Sequence, residues 1–382
     1  MNAKQVAVER FDAVADELAA ISLALFEDPE LSYEEHRASA RLAAFLQQQG
    51  LAVTFPAWGL DTSFDAVAGN EGPTVVICAE YDALPEVGHA CGHNIIAAAA
   101  CGAGVALAAA ADQLGFRVRV LGTPAEEALG GKIDLIDAGA FEGASAAMMI
   151  HPAPDDILDP KFLAIAHIDV EFHGKESHAA FRPQLGINAL DAAVQAYVNV
   201  STLRQALYPT DKVHGTITYG GGAPNVIPSY TSMSYYVRAA TLERLDELIP
   251  KVEACFQAAA IATGCTHAVT RRGSTFTHMV NDPLMVELFA DNSAALGRPM
   301  GRSADRDPSA SGSSDMGNVS LVVPSIHPML DINSLPAVNH QREFAAHTLT
   351  DDGLRALRDG AIAMAWTVLD LVEGNRWDEL GR

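Results

Sequence analysis

The chain has 382 residues, 19% of them charged and 49% hydrophobic, which allows two domains with buried cores and excludes extended disorder. Its formal net charge of -23 excludes nucleic acid and anionic membranes as expected partners, because both would repel an acidic surface. Five scattered cysteines and an N-terminus interrupted by charged residues lack the patterns of a disulfide framework and a signal peptide, so we expect a cytoplasmic protein.

The first part of the chain predicts alternating helices and strands. A helix is predicted over residues 4–27, and a second one runs from Ser32, where Glu35 completes a capping box, to Gly50. The uncharged segment 94–111 is mostly Ala and Gly, which favours a buried core helix over a membrane span. A short helix is predicted after Gly131. β-Branched and apolar runs predict strands at 51–55, 64–68, 73–79, 117–122 and 144–150.

From about residue 163 the pattern changes to a β-α-β-β-α-β order, which is typical of a compact α+β unit with an antiparallel sheet. Its predicted strands and helices are 164–172, 186–206, 213–219, 230–239, 242–263 and 265–271. The first pattern then resumes, with elements predicted at 282–296 (helix), 303–314 (loop), 319–323 (strand) and 350–373 (helix).

We therefore predict an α/β protein with a discontinuous catalytic domain, residues 1–162 and 278–382, whose central sheet is mainly parallel and flanked by helices. Residues 163–277 are predicted to form an inserted α+β lid or dimerisation domain with an antiparallel four-stranded sheet.

Potential metal ligands follow three successive predicted strands. Cys91 and His93 follow the first, Glu126 and Glu127 the second, and His151 the third. Taken singly, each would more often be a structural or solvated side chain. Because ends of parallel strands share one edge of a sheet, their combination predicts a metal site.

Thiolate, imidazole and carboxylate donors favour Zn²⁺ over Ca²⁺ or Mg²⁺. A metal-activated water with a pKa of about 7, next to a free carboxylate as general base, would be suited to amide hydrolysis. The pattern therefore predicts a metallohydrolase.

Several motifs carry a family resemblance that extends over almost the whole chain, starting at residues 28–35. They occupy residues 79–85, 89–94, 124–127, 149–152, 174–180, 222–228 and 314–320. With these motifs the chain resembles the amidohydrolase branch of the aminoacylase and carboxypeptidase-G metallopeptidases. That branch includes aminobenzoyl-glutamate hydrolases, N-acyl-amino-acid hydrolases and some dipeptidases.

The resemblance implies a role for each residue of the predicted metal site. Glu126 corresponds to the general acid/base, and Cys91 is placed to bridge two ions. His327 is the alternative to His340 as the last ligand. The implied metal ligands are Cys91, His93, Glu127, His151 and His340.

Other residues are implied to act around the metals. Asp82 resembles the carboxylate that orients a ligand histidine, although Glu80 stands where relatives commonly have histidine. His178 resembles a histidine that reaches the partner's active site and stabilises the developing oxyanion. Asn225 and Arg238 resemble residues that hold the substrate's carbonyl and carboxylate.

The expected function is hydrolysis of the amide in N-acyl or N-aminoacyl amino acids, such as aminobenzoyl-glutamate conjugates. A dipeptidase acting on small unusual dipeptides is the alternative, and a non-catalytic small-molecule binding protein is a third. The resemblance implies two divalent ions per subunit, Zn²⁺ first and Mn²⁺, Co²⁺ or Ni²⁺ as substitutes, and a homodimer formed through the lid.

Overall fold

The computed structural model describes residues 2–128, 130–305 and 312–381, which form two units. The first unit contains the described residues up to 161, those from 279 to 305 and those from 314 onwards. The second contains 162–278 together with 312 and 313. Residues 306–311, half of the predicted loop 303–314, lie outside the described residues.

Helices and short strands alternate along the chain. The helices are α1 Ala3–Asp12, α2 Ala15–Glu27, α3 His36–Gln48, α4 His93–Leu114, α5 Gly131–Asp137, α6 Ala189–Leu203, α7 Leu242–Thr263, α8 Pro283–Ala295, α9 Met316–Ser320, α10 Arg342–His347 and α11 Asp351–Glu373. The strands are β1 Ala52–Thr54, β2 Asp65–Ala68, β3 Thr74–Ala79, β4 Arg117–Gly122, β5 Ala144–Met148, β6 His151–Ala153, β7 Ala164–His173, β8 Ser177–His178, β9 Lys212–Tyr219, β10 Val226–Ile227, β11 Tyr230–Ala239, β12 Thr266–Arg271, β13 Ser325–Ile326 and β14 Met329–Asp331.

The sheet of the first unit has the strand order β1-β2-β4-β3-β5-β13. Its central pairs β4-β3, β3-β5 and β5-β13 are parallel, whereas β1-β2 and β2-β4 are antiparallel. Strand β3 is buried along its whole length, as expected for a strand covered on both faces. Because β3, β4 and β5 are parallel neighbours, their carboxyl ends lie at one edge of the sheet.

Helix α4 forms the centre of the packing against this sheet and contacts β3, β4, α1, α2 and α11. It is long and apolar enough to cross a membrane by length and composition, but 89% of its most apolar 18-residue window is buried inside the protein. The predicted core helix is therefore present and begins two residues after Cys91.

The predicted helix 4–27 is wrong at its middle, where the structure has two helices, α1 and α2. Phe11 of α1 and Leu18 of α2 both pack against Gly102 of α4, which has no side chain to hold them apart. The break between the helices turns the chain so that both apolar side chains reach the same helix.

The predicted capping box at Ser32 is also wrong, because α3 begins only at His36. The Ser32 hydroxyl donates instead to Asp82 Oδ2 at 2.9 Å, and Glu35 Oε1 accepts a hydrogen bond from the Ala125 amide at 2.9 Å. Both side chains are thus used by distant parts of the chain.

The predicted strand 319–323 is replaced by helix α9 and the following turn. Strand β13 pairs with β5 instead, two residues beyond the predicted strand. Leu321 and Val322 are 45% and 56% exposed, so this apolar run does not enter the sheet.

The second unit has a four-stranded sheet in the order β12-β7-β11-β9, with every neighbouring pair antiparallel. Helices α6 and α7 pack together against this sheet and bury an apolar core. Asn188 caps α6 and Thr241 caps α7 through side-chain oxygens that accept backbone hydrogen bonds. The predicted fold class is confirmed in both units.

Candidate metal centre

Cys91 and His93 enter the site from the loop between β3 and α4. Gly92 between them has a φ of +87°, and a Cβ atom there would lie 2.3 Å from Pro152 Cγ. Glycine allows the loop to adopt this backbone and to pass so close to Pro152. His93 is the first residue of α4, so the packing of that helix helps to fix its position.

Glu126 and Glu127 follow β4 through a tight turn. Ala125, just before them, has a φ of +61°, a conformation that is uncommon for residues other than glycine. The hydrogen bond from its amide to Glu35 supports this turn. The turn brings both carboxylates to the edge of the sheet where His151 follows β5.

The predicted donors come together around Cys91. Its Sγ lies 3.4 Å from His151 Nε2 and 3.6 Å from His340 Nε2. Glu127 carboxylate oxygens lie 3.7 Å from His93 Nε2 and 3.6 Å from His340 Nε2. We call these five residues the ligand cluster: Cys91, His93, Glu127, His151 and His340.

The ligand cluster contains two sets of three residues. Within each set, one donor atom from each residue lies within 4.8 Å of the other two. One contains His93 and His151, the other contains Glu127 and His340, and Cys91 belongs to both. A sulfur atom common to both donor sets fits the bridging role that the family resemblance implies for Cys91.

Unpartnered buried atoms support the fit of a metal. His93 Nε2 and Glu127 Oε1 are buried and have no hydrogen-bond partner among the described residues. Such atoms are rare in folded proteins because leaving them unpaired is costly. Their separation of 3.7 Å is too long for a hydrogen bond, so neither atom satisfies the other. Nitrogen, sulfur and carboxylate donors together fit a divalent metal.

The His151 side chain is prepared to bind through Nε2. Its Nδ1 donates to the Pro152 carbonyl at 2.7 Å, which leaves Nε2 directed towards Cys91. Burial lowers the pKa of His151 to about 4. The neutral imidazole needed by a metal ligand is therefore its stable form at neutral pH.

Asp82 supports two members of the ligand cluster. Its Oδ1 lies 3.0 Å from His93 Nδ1, and its Oδ2 accepts from the Glu127 amide at 3.0 Å as well as from Ser32. Burial would raise the pKa of Asp82, but the charge and hydrogen bond of His93 lower it below its usual value. An ionised Asp82 orients His93, as carboxylates commonly do behind metal-binding histidines.

Glu126 lies beside the ligand cluster. One of its oxygens is within 4.8 Å of donor atoms of both His93 and Glu127. Burial, followed by the charges of Glu80, Glu127 and Asp315, raises the pKa of Glu126 well above 4.5. Its carboxyl group makes no hydrogen bond among the described residues, which leaves it available for proton transfer.

The two rival histidines occupy different places. His340 has a φ of +71°, and its amide donates to the Ala90 carbonyl at 2.8 Å, so its loop is tied next to Cys91. Asn339 adds bonds to the carbonyls of Cys91 and Pro152 at 3.4 and 3.1 Å. His327 is fully buried, with its ring 5.5 Å from that of His151, and belongs to none of the donor sets among the described residues.

His178, Asn225 and Arg238 all lie in the second unit. His178 on β8 pairs with Val226 of β10, and the Ala179 amide donates to the Asn225 carbonyl at 3.0 Å. These contacts bring His178 and Asn225 next to each other on exposed backbone. Arg238 on β11 donates to Ser313 Oγ at 2.9 Å, and burial lowers the pKa of its guanidinium.

Three further charged residues lie next to Glu126 without belonging to the predicted site. Lys132, Glu80 and Asp315 are fully buried and form two ion pairs. In the sequence, Glu80 and Asp315 lie within motifs of the family resemblance and Lys132 follows a glycine pair, but none of these patterns specifies an ion pair.

Several known proteins are similar to this chain in sequence. A family described as peptidase dimerisation domain matches residues 164–263. The chain is 41% identical to the Xaa-Arg dipeptidase of Mus musculus, over 97% of this chain and 89% of that protein. It is 29% identical to a p-aminobenzoyl-glutamate hydrolase component of Escherichia coli, over 68% of this chain and 56% of that protein.

A solved structure shows the same fold. A dinuclear metal-binding peptidase of the M20 family from Bacillus subtilis superimposes with a TM-score of 0.73 at 22% identity, over 94% of this chain and 99% of that protein. Together with the identity to the mouse dipeptidase over nearly the full length, the ligand cluster leads to one assignment. The chain belongs to the M20 peptidase family and is a metal-dependent amidohydrolase.

Proposed function

We propose that this protein is a dipeptidase that releases the C-terminal amino acid of small dipeptides, with a basic C-terminal residue preferred. The observation that supports the reaction is the free Glu126 carboxyl beside the ligand cluster. The preference for a basic residue is taken from the mouse Xaa-Arg dipeptidase, to which the chain is 41% identical.

Five residues are proposed to hold two divalent ions, Zn²⁺ in the first place. Ions bound there would polarise the scissile carbonyl and lower the pKa of a water molecule to about 7. Cys91 lies between the two donor sets, while Asp82 keeps His93 oriented. The proposed ligands are Cys91, His93, Glu127, His151 and His340.

Glu126 is proposed to accept the proton of the attacking water and to return it to the leaving amine nitrogen. An oxygen of Glu126 within 4.8 Å of donor atoms of His93 and Glu127 supports this role. His178, contributed by a second copy of the chain, is proposed to donate a hydrogen bond to the developing oxyanion. Asn225 and Arg238 are proposed to bind the substrate's carbonyl and carboxylate.

The second candidate is hydrolysis of N-acyl amino acids, including aminobenzoyl-glutamate conjugates. It is supported by the 29% identity to the Escherichia coli hydrolase component. Both candidates share the proposed mechanism and differ only in the group that flanks the scissile amide.

A substrate panel tests the proposal. Metal-loaded protein would be assayed with dipeptides ending in Arg, Lys, Glu or Ala, with acetyl-amino acids, and with aminobenzoyl-glutamate, beside a Glu126→Gln variant of unchanged metal content. We expect the highest kcat/KM for dipeptides ending in Arg or Lys, and a loss of about 100-fold or more in kcat for the variant. Faster cleavage of acetyl-amino acids or aminobenzoyl-glutamate would favour the second candidate, and full activity of the variant would refute the role of Glu126.

A further inference from the structure

Lys132 is a fully buried lysine at the start of α5, with a carboxylate on either side. Its Nζ lies 2.5 Å from Glu80 Oε1 and 2.6 Å from Asp315 Oδ1, and its backbone amide donates to Asp315 Oδ2 at 2.9 Å. We call Lys132, Glu80 and Asp315 the inner cluster. None of the three side chains is exposed to solvent.

Lys132 stays charged despite its burial. Burial by itself would lower the pKa of Lys132, but Asp315, Glu80 and Glu126 raise it well above 10.5. A buried ammonium ion is tolerated when it is paired and hydrogen-bonded in this way. Lys132 is therefore a permanent cation inside the protein.

Glu126 completes a set of three carboxylates around this cation. Oxygens of Glu80, Glu126 and Asp315 all lie within 4.8 Å of one another, a spacing that would also allow a metal ion. The Lys132 ammonium already bonds two of the three, so it supplies the positive charge that such a set requires. Without it, the carboxylates of Glu80 and Asp315 would repel one another in a medium of low dielectric constant.

Glu80 connects the inner cluster to the ligand cluster. Its Oε1 is held by Lys132, while its Oε2 lies 3.4 Å from His93 Nε2. Neither Glu80 Oε2 nor His93 Nε2 has a hydrogen-bond partner among the described residues. The position of Lys132 thus affects the surroundings of His93 on one side and of Glu126 on the other.

We propose that Lys132 is a positioning residue for the hydrolysis. It is the cation of the three-carboxylate set, and it holds Glu80 and Asp315 so that Glu126 keeps its position beside His93. The proposal rests on the role of Glu126 given above. Lys132 itself touches neither substrate nor metal. It acts through the carboxylates that surround Glu126.

The test compares Asp315→Asn with the double variant Lys132→Met/Asp315→Asn. Lys132→Met alone leaves two buried carboxylates without their cation and is expected to impair folding. The double variant removes one charge of each sign, so the set keeps the net charge that it has in the wild type. Met has nearly the length of the lysine stem. Asp315→Asn alone keeps the ammonium bonded to Glu80 and serves as the matched control.

We expect the double variant to fold and to keep the metal content of the control, while its kcat falls about 100-fold below that of the control, the effect of about 1 Å of misplacement. KM should change less than about threefold, because a group that acts only on the chemical step leaves substrate binding intact. Crystal structures of both variants should show the Glu126 carboxyl displaced relative to His93 only when Lys132 is absent.

Three results would overturn the proposal. If the double variant had the kcat of the control, the ion pairs of Lys132 would contribute to stability only. A loss of metal in proportion to kcat would mean that Lys132 supports the ligands and not Glu126. A Glu126 carboxyl that stays in place in the crystal would refute positioning. The crystal structures need no substrate. They therefore still test the positioning role of Lys132 if the wild-type protein cleaves nothing in the panel.

Discussion

His340 is the most exposed member of the ligand cluster. The sequence left His340 and His327 as alternatives for the last metal ligand. Its side chain is 58% exposed, yet Nε2 lies 3.6 Å from both Cys91 Sγ and Glu127 Oε2. Removal of an outer partner of a ligand typically weakens metal affinity by about 10–100-fold, so loss of the donor itself should weaken it at least as much. We therefore expect His340→Ala to bind Zn²⁺ at least about 10-fold more weakly in competition with a chelating dye.

His327→Ala is the matched control for this prediction. His327 is fully buried beside His151, so its truncation should lower the thermal midpoint through lost packing. Its metal affinity should change less than about threefold, since it offers no donor to either set. A weaker affinity in His327→Ala with an unchanged one in His340→Ala would reverse the assignment.

The raised pKa of Glu35 predicts that the stability of the metal-free protein depends on pH. The side chain is fully buried, and burial followed by the charge of Asp82 raises its pKa from 4.5 to about 7. The folded protein binds the Glu35 proton more tightly than the unfolded chain does, so this stabilisation is complete below pH 4.5 and is lost as the pH rises through about 7. The full effect is about 3 kcal/mol.

Glu35→Gln tests this pH dependence because glutamine can still accept the Ala125 hydrogen bond but has no charge to bury. At pH 8 the metal-free variant should be more stable than the wild type, and at pH 4 to 5 the two should be similar. Urea unfolding at both pH values measures the difference. Equal stability of the two proteins at pH 8 would contradict the raised pKa.

At the scale of elements, α4 depends on glycines for its closeness to the sheet. A Cβ atom on Gly104 would lie 2.2 Å from Val120 Cγ2 of β4. Overpacking of this kind costs about 1–3 kcal/mol, which exceeds or offsets the gain of about 1 kcal/mol that alanine brings to a helix. We expect Gly104→Ala to lower the free energy of unfolding by up to about 2 kcal/mol.

Val120→Ala should partly restore the Gly104→Ala variant, because it removes the methyl group that the new Cβ meets. The destabilisation of the double variant should then be smaller than the sum of the two single ones. Chemical denaturation of the four proteins gives this coupling. Additive effects would mean that the helix shifts away from β4 instead.

The elements that could be predicted are those specified by local sequence. The buried runs of β3 and β4 alternate or continue as strands do, and α7 has a threonine cap and a glycine at its end. The errors occur where a contact with a residue far away in the sequence determines the local structure. Ser32 binds Asp82 instead of capping a helix, and Asp315, just before α9, binds Lys132, which is 183 positions away.

At the scale of the whole molecule, the proximity of Cys91, His93, Glu127 and His151 could be predicted because parallel strands bring them to one edge of a sheet. His340 was implied only by the family resemblance. The inner cluster could not be predicted, because nothing local distinguishes a buried lysine from the exposed majority. Its partners come from the loop after β3 and from the segment before α9. Only the folded chain shows that the charges of Lys132, Glu80 and Asp315 compensate one another.

The second unit exposes apolar side chains on helix α6. Helix α6 buries small residues towards its own sheet and exposes Val194, Tyr197 and Val198 on the other side. The matched peptidase dimerisation domain covers this helix. A homodimer through this unit is therefore the proposed assembly, and it would allow His178 to act on the partner's substrate.

Mixed dimers test the trans role of His178. Glu126→Gln and His178→Ala variants should each be nearly inactive alone. In a heterodimer, the site with an intact Glu126 would receive an intact His178 from the other copy. Random assembly of equal amounts should then restore about a quarter of wild-type activity, since half of the dimers are mixed and each has one complete site.

Co-expression with two different affinity tags would isolate the heterodimer, whose activity should reach about half that of the wild type. If His178 acted within its own chain, both sites of the heterodimer would lack one residue and the purified species would stay inactive. The measurement therefore distinguishes a shared active site from two independent ones, whichever dipeptide is the substrate. A symmetric pair of chains would then be a requirement of the chemistry and not only of stability.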